Sequence, residues 1–151
     1  MTHHTYDLDS PDDVTPDNPF TLPGFFDAMA DGRLIAARCT DCDTRLVPPR
    51  PACYACGSRA LELEDQPERG EIVSYTEVRK PAPAFADLAP FTVAIVELES
   101  GARLTGRVDA PYDRVEIGIP VSLSFREPDP ATNAIAFEHE AEWPIHVFEL
   151  E

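Results

Sequence analysis

The chain has 151 residues, 43% of them apolar, with 28 acids against 12 bases and a net charge of −16. That apolar share suits a folded protein of one ordinary domain, or a small module joined to a modest one, and excludes wholesale disorder. No apolar run approaches the ~20 residues of a membrane-spanning helix, and the charge weighs against a polyphosphate partner, which needs a basic track.

Residues 1–19 carry Pro11, Pro16 and Pro19 among Asp and Ser and are expected to be a flexible acidic arm. This start has neither the pattern of a secretory signal nor the arginines of a transit peptide, so a cytoplasmic protein is expected. The stretch FTLPGFFDAMADGRL then changes character. Phe25, Phe26, Met29 and Ala30 recur at helical spacing, Pro23 suits a first turn and Gly32 a C-terminal cap, which predicts a short helix near 22–31. RLIAAR (33–38) reads as a strand leading into the first cysteines, and ALELED as a short returning strand in which Leu61 and Leu63 alternate with acids.

Gly70 opens EIVSYTEVR, where strict alternation puts Ile72, Ser74, Thr76 and Val78 on one face and Val73, Tyr75 and Glu77 on the other. KPAPAFADLAP (80–90) holds three prolines and is expected to be a loop. FTVAIVELES (91–100) is the strongest strand pattern, Ser100-Gly101 a good tight turn, and ARLTGRVD the returning strand of a hairpin. PYDRVEIGIP reads as a connector, VSLSFRE (121–127) as a strand and IAFEHE (135–140) as the last core strand. AEWPIHVFELE reads as a further strand or an extended segment on the surface. So many strands with so few helices between them argue against a parallel sheet. The expected fold is mainly β, closing as a five-stranded antiparallel OB-fold barrel that removes exposed edges. The expected organisation is an arm at 1–19, a helix with a cysteine module at 20–66, the barrel at 67–140 and a C-terminal extension at 141–151.

Residues 1–31 and 127–151 each hold seven acids and no base, so the middle of the chain is nearly balanced and is where binding is expected. Lys80 is the single lysine. Abundant acids with Arg in place of Lys suit a high-salt cytoplasm, where a Debye length of ~3 Å screens self-repulsion. An ordinary acidic protein with acidic ends is the alternative.

All four cysteines lie in CTDCDTRLVPPRPACYACG, as Cys39/Cys42 and Cys53/Cys56. Two Cys-x-x-Cys turns can gather four sulfurs into a tetrahedron around one metal, and Zn²⁺ fits that donor set. With four protein ligands no position remains for an activating water, so the metal is expected to be structural. Two disulfides and a rubredoxin-like iron centre use the same residues, the first disfavoured in a cytoplasm and the second unsupported by any other redox feature. A module so short cannot bury enough surface to fold alone, so residues 33–64 are expected to lose their structure without metal. Five arginines, Arg33, Arg38, Arg45, Arg50 and Arg59, stand near the cysteines against Asp41 and Asp43. They either offset the formal −2 of a four-thiolate zinc site or form an anion site for the phosphates of a nucleotide-like ligand. His139 and His146, and Ser74, Ser122 and Ser124, sit in strand-like segments without a nucleophile elbow, and no phosphate-binding glycine loop occurs. No catalytic residue is assigned.

The order of FFDAMADGRLIAARCTDC, LVPPRPACYACGS, GEIVSYTEV, APFTVAIVELESGARLTGRV and EIGIPVSLSF resembles the small proteins that join an N-terminal rubredoxin-like zinc ribbon to an OB-fold and accompany thiolases and other acyl-CoA enzymes. The match covers about residues 20–126. Asp43 stands where the family often has Gly, and Pro90-Phe91 where it often has Pro-Tyr; the tail from Ala141 has no counterpart. The resemblance implies a non-catalytic scaffold, haloarchaeal in composition, that binds a thiolase-type enzyme, bridges it to hydroxymethylglutaryl-CoA synthase and helps hold or pass acyl-CoA. It carries over Cys39, Cys42, Cys53 and Cys56 as metal ligands, and makes Arg38, Arg45, Arg50 and the 80–90 loop candidates for contacting CoA. The rival functional readings are a nucleic-acid-binding ribbon and barrel, which the charge opposes, and an iron-based electron carrier.

Overall fold

The computed structural model describes residues 16–127 and 144–151. The expected arm falls almost wholly outside these residues, and the IAFEHE segment with His139 lies outside them. The chain divides into two compact units, Met1–Pro67 with Ser100–Ala102, and Glu68–Glu99 with Arg103–Glu151.

The first unit opens with helix α1, Leu22–Ala30. The Thr21 side chain caps it by accepting from the Gly24 amide, Pro23 sits in the first turn where its missing N–H costs nothing, and Phe25 and Met29 are buried. Gly24 is required by close approach, because a Cβ there would lie 2.1 Å from the Asn18 carbonyl oxygen. The helix ends as Gly32 turns left-handed at φ +78°, with its amide on the Met29 carbonyl. Three antiparallel strands follow, β1 (Ile35–Cys39), β2 (Arg45–Leu46) and β3 (Leu61–Asp65), in the order β2-β1-β3. Alternation along them sends Ala37, Cys39, Leu46 and Leu61 into one small core with Phe20 and Cys53. Arg38, Arg45, Glu62 and Glu64 fall on the other face.

The second unit is a closed barrel of β4 (Arg69–Val78), β5 (Phe91–Leu98), β6 (Arg103–Val108), β7 (Pro120–Arg126) and β8 (Ile145–Leu150), in the order β4-β5-β6-β8-β7. Ile72, Ala94, Val96, Leu104, Val108, Val121, Leu123 and Phe148 are buried. The expected loop at 80–90 contains a 3-10 helix, Pro83–Leu88, and the connector after β6 a short one, Tyr112–Arg114.

Three expectations need correction. The barrel is mixed, not wholly antiparallel, because β6 and β8 run parallel. A ring with an odd number of strands cannot alternate direction all the way round, so five strands force at least one parallel pair. The closing strand is Ile145–Leu150, which pairs with both β6 and β7 and buries Val147 and Phe148; of the two readings of this segment the strand holds, but it completes the barrel and is not an extension beyond it. The faces of β4 also exchange midway. A bulge between Ile72 and Ser74 shifts the register, so that Ile72 pairs with buried Val96 and Tyr75, three residues on, with buried Ala94. One inserted residue reverses the alternation beyond it and bends the strand as closure requires.

Candidate metal centre

The two cysteine pairs form matching turns. The Asp43 amide donates to the Cys39 carbonyl at 2.8 Å and the Gly57 amide to the Cys53 carbonyl at 2.9 Å. The Cys39 amide donates to the Thr44 carbonyl at 2.9 Å, and the Cys53 amide to the Ser58 carbonyl at 2.8 Å. Each turn reverses through a left-handed residue directly after its second cysteine, Asp43 at φ +67° and Gly57 at φ +77°. Glycine takes that backbone freely, and Asp tolerates it better than most side chains.

All four sulfurs lie within 4.8 Å of one another. Cys39 Sγ is 3.6 Å from Cys56 Sγ, and Cys42 Sγ is 3.6 Å from Cys53 Sγ. A tetrahedron of thiolates ~2.3 Å from zinc puts its sulfurs ~3.8 Å apart, so the donor set fits that ion. Disulfide sulfurs would stand ~2.05 Å apart; these are free thiols. Cys39 and Cys53 are buried in the small core, and Cys42 and Cys56 face solvent.

The local electrostatics ask for a cation. Thr44, through its hydroxyl 3.2 Å away and its amide, lowers the Cys42 thiol to about 6. The Ser58 amide favours the Cys56 thiolate as well, but the neighbouring sulfurs, Cys42 first, together with burial push Cys56 up to about 12. Four sulfurs in contact cannot all carry charge by themselves; a divalent ion removes that conflict. Sequence reasoning passed over Thr44 and Ser58. Their signal was present as a repeated spacing, Cys-x-x-Cys followed by Asp-Thr in one turn and by Gly-Ser in the other.

The arginines divide. Arg38 donates to Asp43 at 2.6 Å and Glu62 at 2.9 Å, with Glu64 at 3.6 Å. Arg45, its direct partner across β1 and β2, donates to Glu64 at 2.6 Å. Glu64 thus bridges two like charges, and Arg45 above all holds its carboxyl below the usual range. Arg33 pairs with Asp65. Arg50 is exposed with no ion pair or hydrogen bond among the described residues. The acids that neutralise Arg38 and Arg45 lie mostly on β3, a strand the local charge count around the cysteines left out.

Paired cysteine turns on a three-stranded ribbon, followed by a closed five-stranded barrel, define a zinc ribbon joined to an OB-fold. The comparisons agree with that class. The ChsH2 rubredoxin-like zinc ribbon domain matches residues 26–62, and the ChsH2 C-terminal OB-fold domain residues 63–126. A DUF35 domain-containing scaffold protein of Methanothermobacter thermautotrophicus is 40% identical over 96 residues, covering 62% of this chain and 72% of that one. A probable enoyl-CoA hydratase alpha subunit of Thermomonospora curvata is 39% identical over 119 residues, which is 78% of this chain; the chain spans 35% of that relative. Among solved structures, the Ltp2-ChsH2(DUF35) aldolase superposes with a TM-score of 0.65 at 33% identity, covering 84% of this chain and 91% of that one. The chain belongs to the ChsH2-type family of zinc ribbon and OB-fold proteins that includes the DUF35 domain-containing scaffold proteins.

Proposed function

We propose that this chain is a non-catalytic accessory subunit in acyl-CoA metabolism. It docks a thiolase-type enzyme, bridges it to a second acyl-CoA enzyme such as hydroxymethylglutaryl-CoA synthase, and helps hold the acyl-CoA. Cys39, Cys42, Cys53 and Cys56 hold one structural zinc that keeps the ribbon rigid. The observation that carries this reading is the sulfur cage: four thiolates fill a tetrahedral ion, leaving the metal a fastening with no position for substrate. The names of the relatives support it, since one is a scaffold protein, another a hydratase subunit, and a third stands beside Ltp2 in an aldolase. Affinity purification of the full chain from its native cytoplasm, followed by mass spectrometry, should recover a stoichiometric acyl-CoA enzyme; recovery of none refutes the reading.

For CoA itself, the ion pairs of Arg38 and Arg45 leave Arg50 as the ribbon candidate best placed to meet a phosphate. Isothermal titration with CoA should show weaker binding for Arg50→Ala and little change for Arg45→Ala; equal affinity in all three proteins removes the assignment. The acid-rich composition with its single lysine separately supports a high-salt cytoplasm. The chain's melting temperature should then rise steadily as KCl goes from 0.1 M to 2 M, and a flat profile would contradict that setting.

A further inference from the structure

The described cations differ in how they are satisfied. In the barrel, Arg69 pairs with Glu151, Arg79 with Glu77, Arg103 with Glu97, and Arg126 with both Asp109 and Glu149. Lys80 and Arg114 have no ion pair among the described residues but are exposed, so water solvates them. Arg107 is the exception. It is half-buried on β6 and makes no hydrogen bond or ion pair among the described residues, in a chain with 28 acids. A partly desolvated guanidinium left without an anion among the described residues is a place able to receive one.

Its surroundings say what accompanies that anion. Arg107 lines an open groove of about 480 Å³ whose other walls include Leu88, Pro90, Phe91, Val108 and Pro111. Asp109 and Arg126 also line it but neutralise each other at 2.8 Å. Directly opposite Arg107 on β5 is Val93, half-buried, and two residues along the same face is Ile95, 38% exposed. Alternating with them, Thr92, Ala94 and Val96 are buried. The apolar track thus continues from the groove along β5 for ~13 Å, at ~3.3 Å per residue from Phe91 to Ile95. That is longer than a small anion needs and suits a polypeptide segment.

We propose that this groove and the outward face of β5 seat a segment of a partner protein that carries apolar side chains and one carboxylate, the carboxylate pairing with Arg107. Charge complementarity selects this occupant: in a chain of net −16 an acidic partner is repelled almost everywhere, and Arg107 offers a half-buried site where a single carboxylate is welcome. The proposal rests on the accessory-subunit reading and names the surface that performs the docking.

The test uses the full-length chain and the acyl-CoA enzyme that co-purifies with it, with affinities measured by biolayer interferometry in high salt. Arg107→Glu and Ile95→Glu should each weaken binding about tenfold or more, while Arg114→Glu, an exposed cation outside the groove, should leave it unchanged. Circular dichroism melts establish that all three variants fold. Equal affinity in the wild type and both groove variants overturns this surface and leaves the accessory reading intact. If no acyl-CoA enzyme binds the wild type, that reading falls and the inference with it. In a parallel arm, millimolar hexanoate is titrated into ¹⁵N-labelled protein. If hexanoate binds through Arg107 while the enzyme's affinity is unaffected by the variants, the groove is a small-carboxylate site and docking is refuted.

Discussion

Stripping the metal should melt the ribbon and spare the barrel. Besides the sulfurs, the ribbon core holds three large apolar side chains, Phe20, Leu46 and Leu61. Full burial of each contributes ~1.5–3 kcal/mol. A structural zinc contributes ~10–16 kcal/mol in small peptides near neutral pH, more than the three together and comparable with the ~5–15 kcal/mol that holds a whole domain. Two core members, Cys39 and Cys53, are themselves ligand candidates, so chelation loosens the centre of the cluster and not merely its rim. The assay is hydrogen exchange with mass spectrometry before and after treatment with a strong chelator. The amides of Cys39, Asp43, Cys53 and Gly57, all hydrogen-bonded within the turns, should lose protection. Amides along the paired β5 and β6 should keep theirs. If the four turn amides stay protected in protein that elemental analysis shows to be free of metal, the metal does not hold the ribbon.

Gly106→Ala should destabilise the barrel by ~1–3 kcal/mol in urea melts, because the added Cβ would lie 2.7 Å from Phe148 Cε2 and 2.9 Å from His146 Cδ2. Burial holds His146 below its ordinary value near 6.5, against the opposing effect of its hydrogen bond to the Thr105 carbonyl. The unfolded chain therefore takes up this proton first: the group costs nothing above ~pH 7 and removes stability as pH falls through ~6.5, and His146→Gln should flatten that part of a melting-temperature profile. Left-handed backbone costs ~1–2 kcal/mol for ordinary L-residues, so Asp43→Val should release zinc to a colorimetric chelator faster than wild type, whereas Asp43→Gly should not.

How much could be read in advance follows from how local each signal is. Helix α1 was legible because Pro23, Phe25, Phe26, Met29 and Gly32 each act within one or two turns. The metal centre was legible for the same reason, since a Cys-x-x-Cys turn closes on itself and two of them need only be brought together. The last strand was legible as a strand, but its place in the barrel was not. Ile145–Leu150 is short, and what makes it a barrel strand is the edges of β6 and β7 that it joins, which no local pattern records. The bulge at Val73 escaped for a related reason: strict alternation is the default, and the extra residue is imposed by the curvature of a closed sheet.

The arginines near the cysteines carry the same lesson into function. In sequence they cluster with the thiols, and either charge compensation or phosphate binding accounts for that. In the fold, β1 sends Cys39 to one face and Arg38 to the other, so neighbours in the chain serve different partners. Arg38 and Arg45 meet Glu62 and Glu64, residues brought opposite by the β1–β3 register, and Glu62 is buried. A guanidinium held on a partly buried carboxylate is not screened by salt as an exposed pair is, which gives a chain of this composition a reason to prefer Arg to Lys. Once the internal pairs are assigned, local abundance of arginine no longer points to a ligand. What points to one is a cation that the fold half-buries and leaves unmatched among the described residues, and in the barrel that cation is Arg107, far along the chain from the cluster that first drew attention.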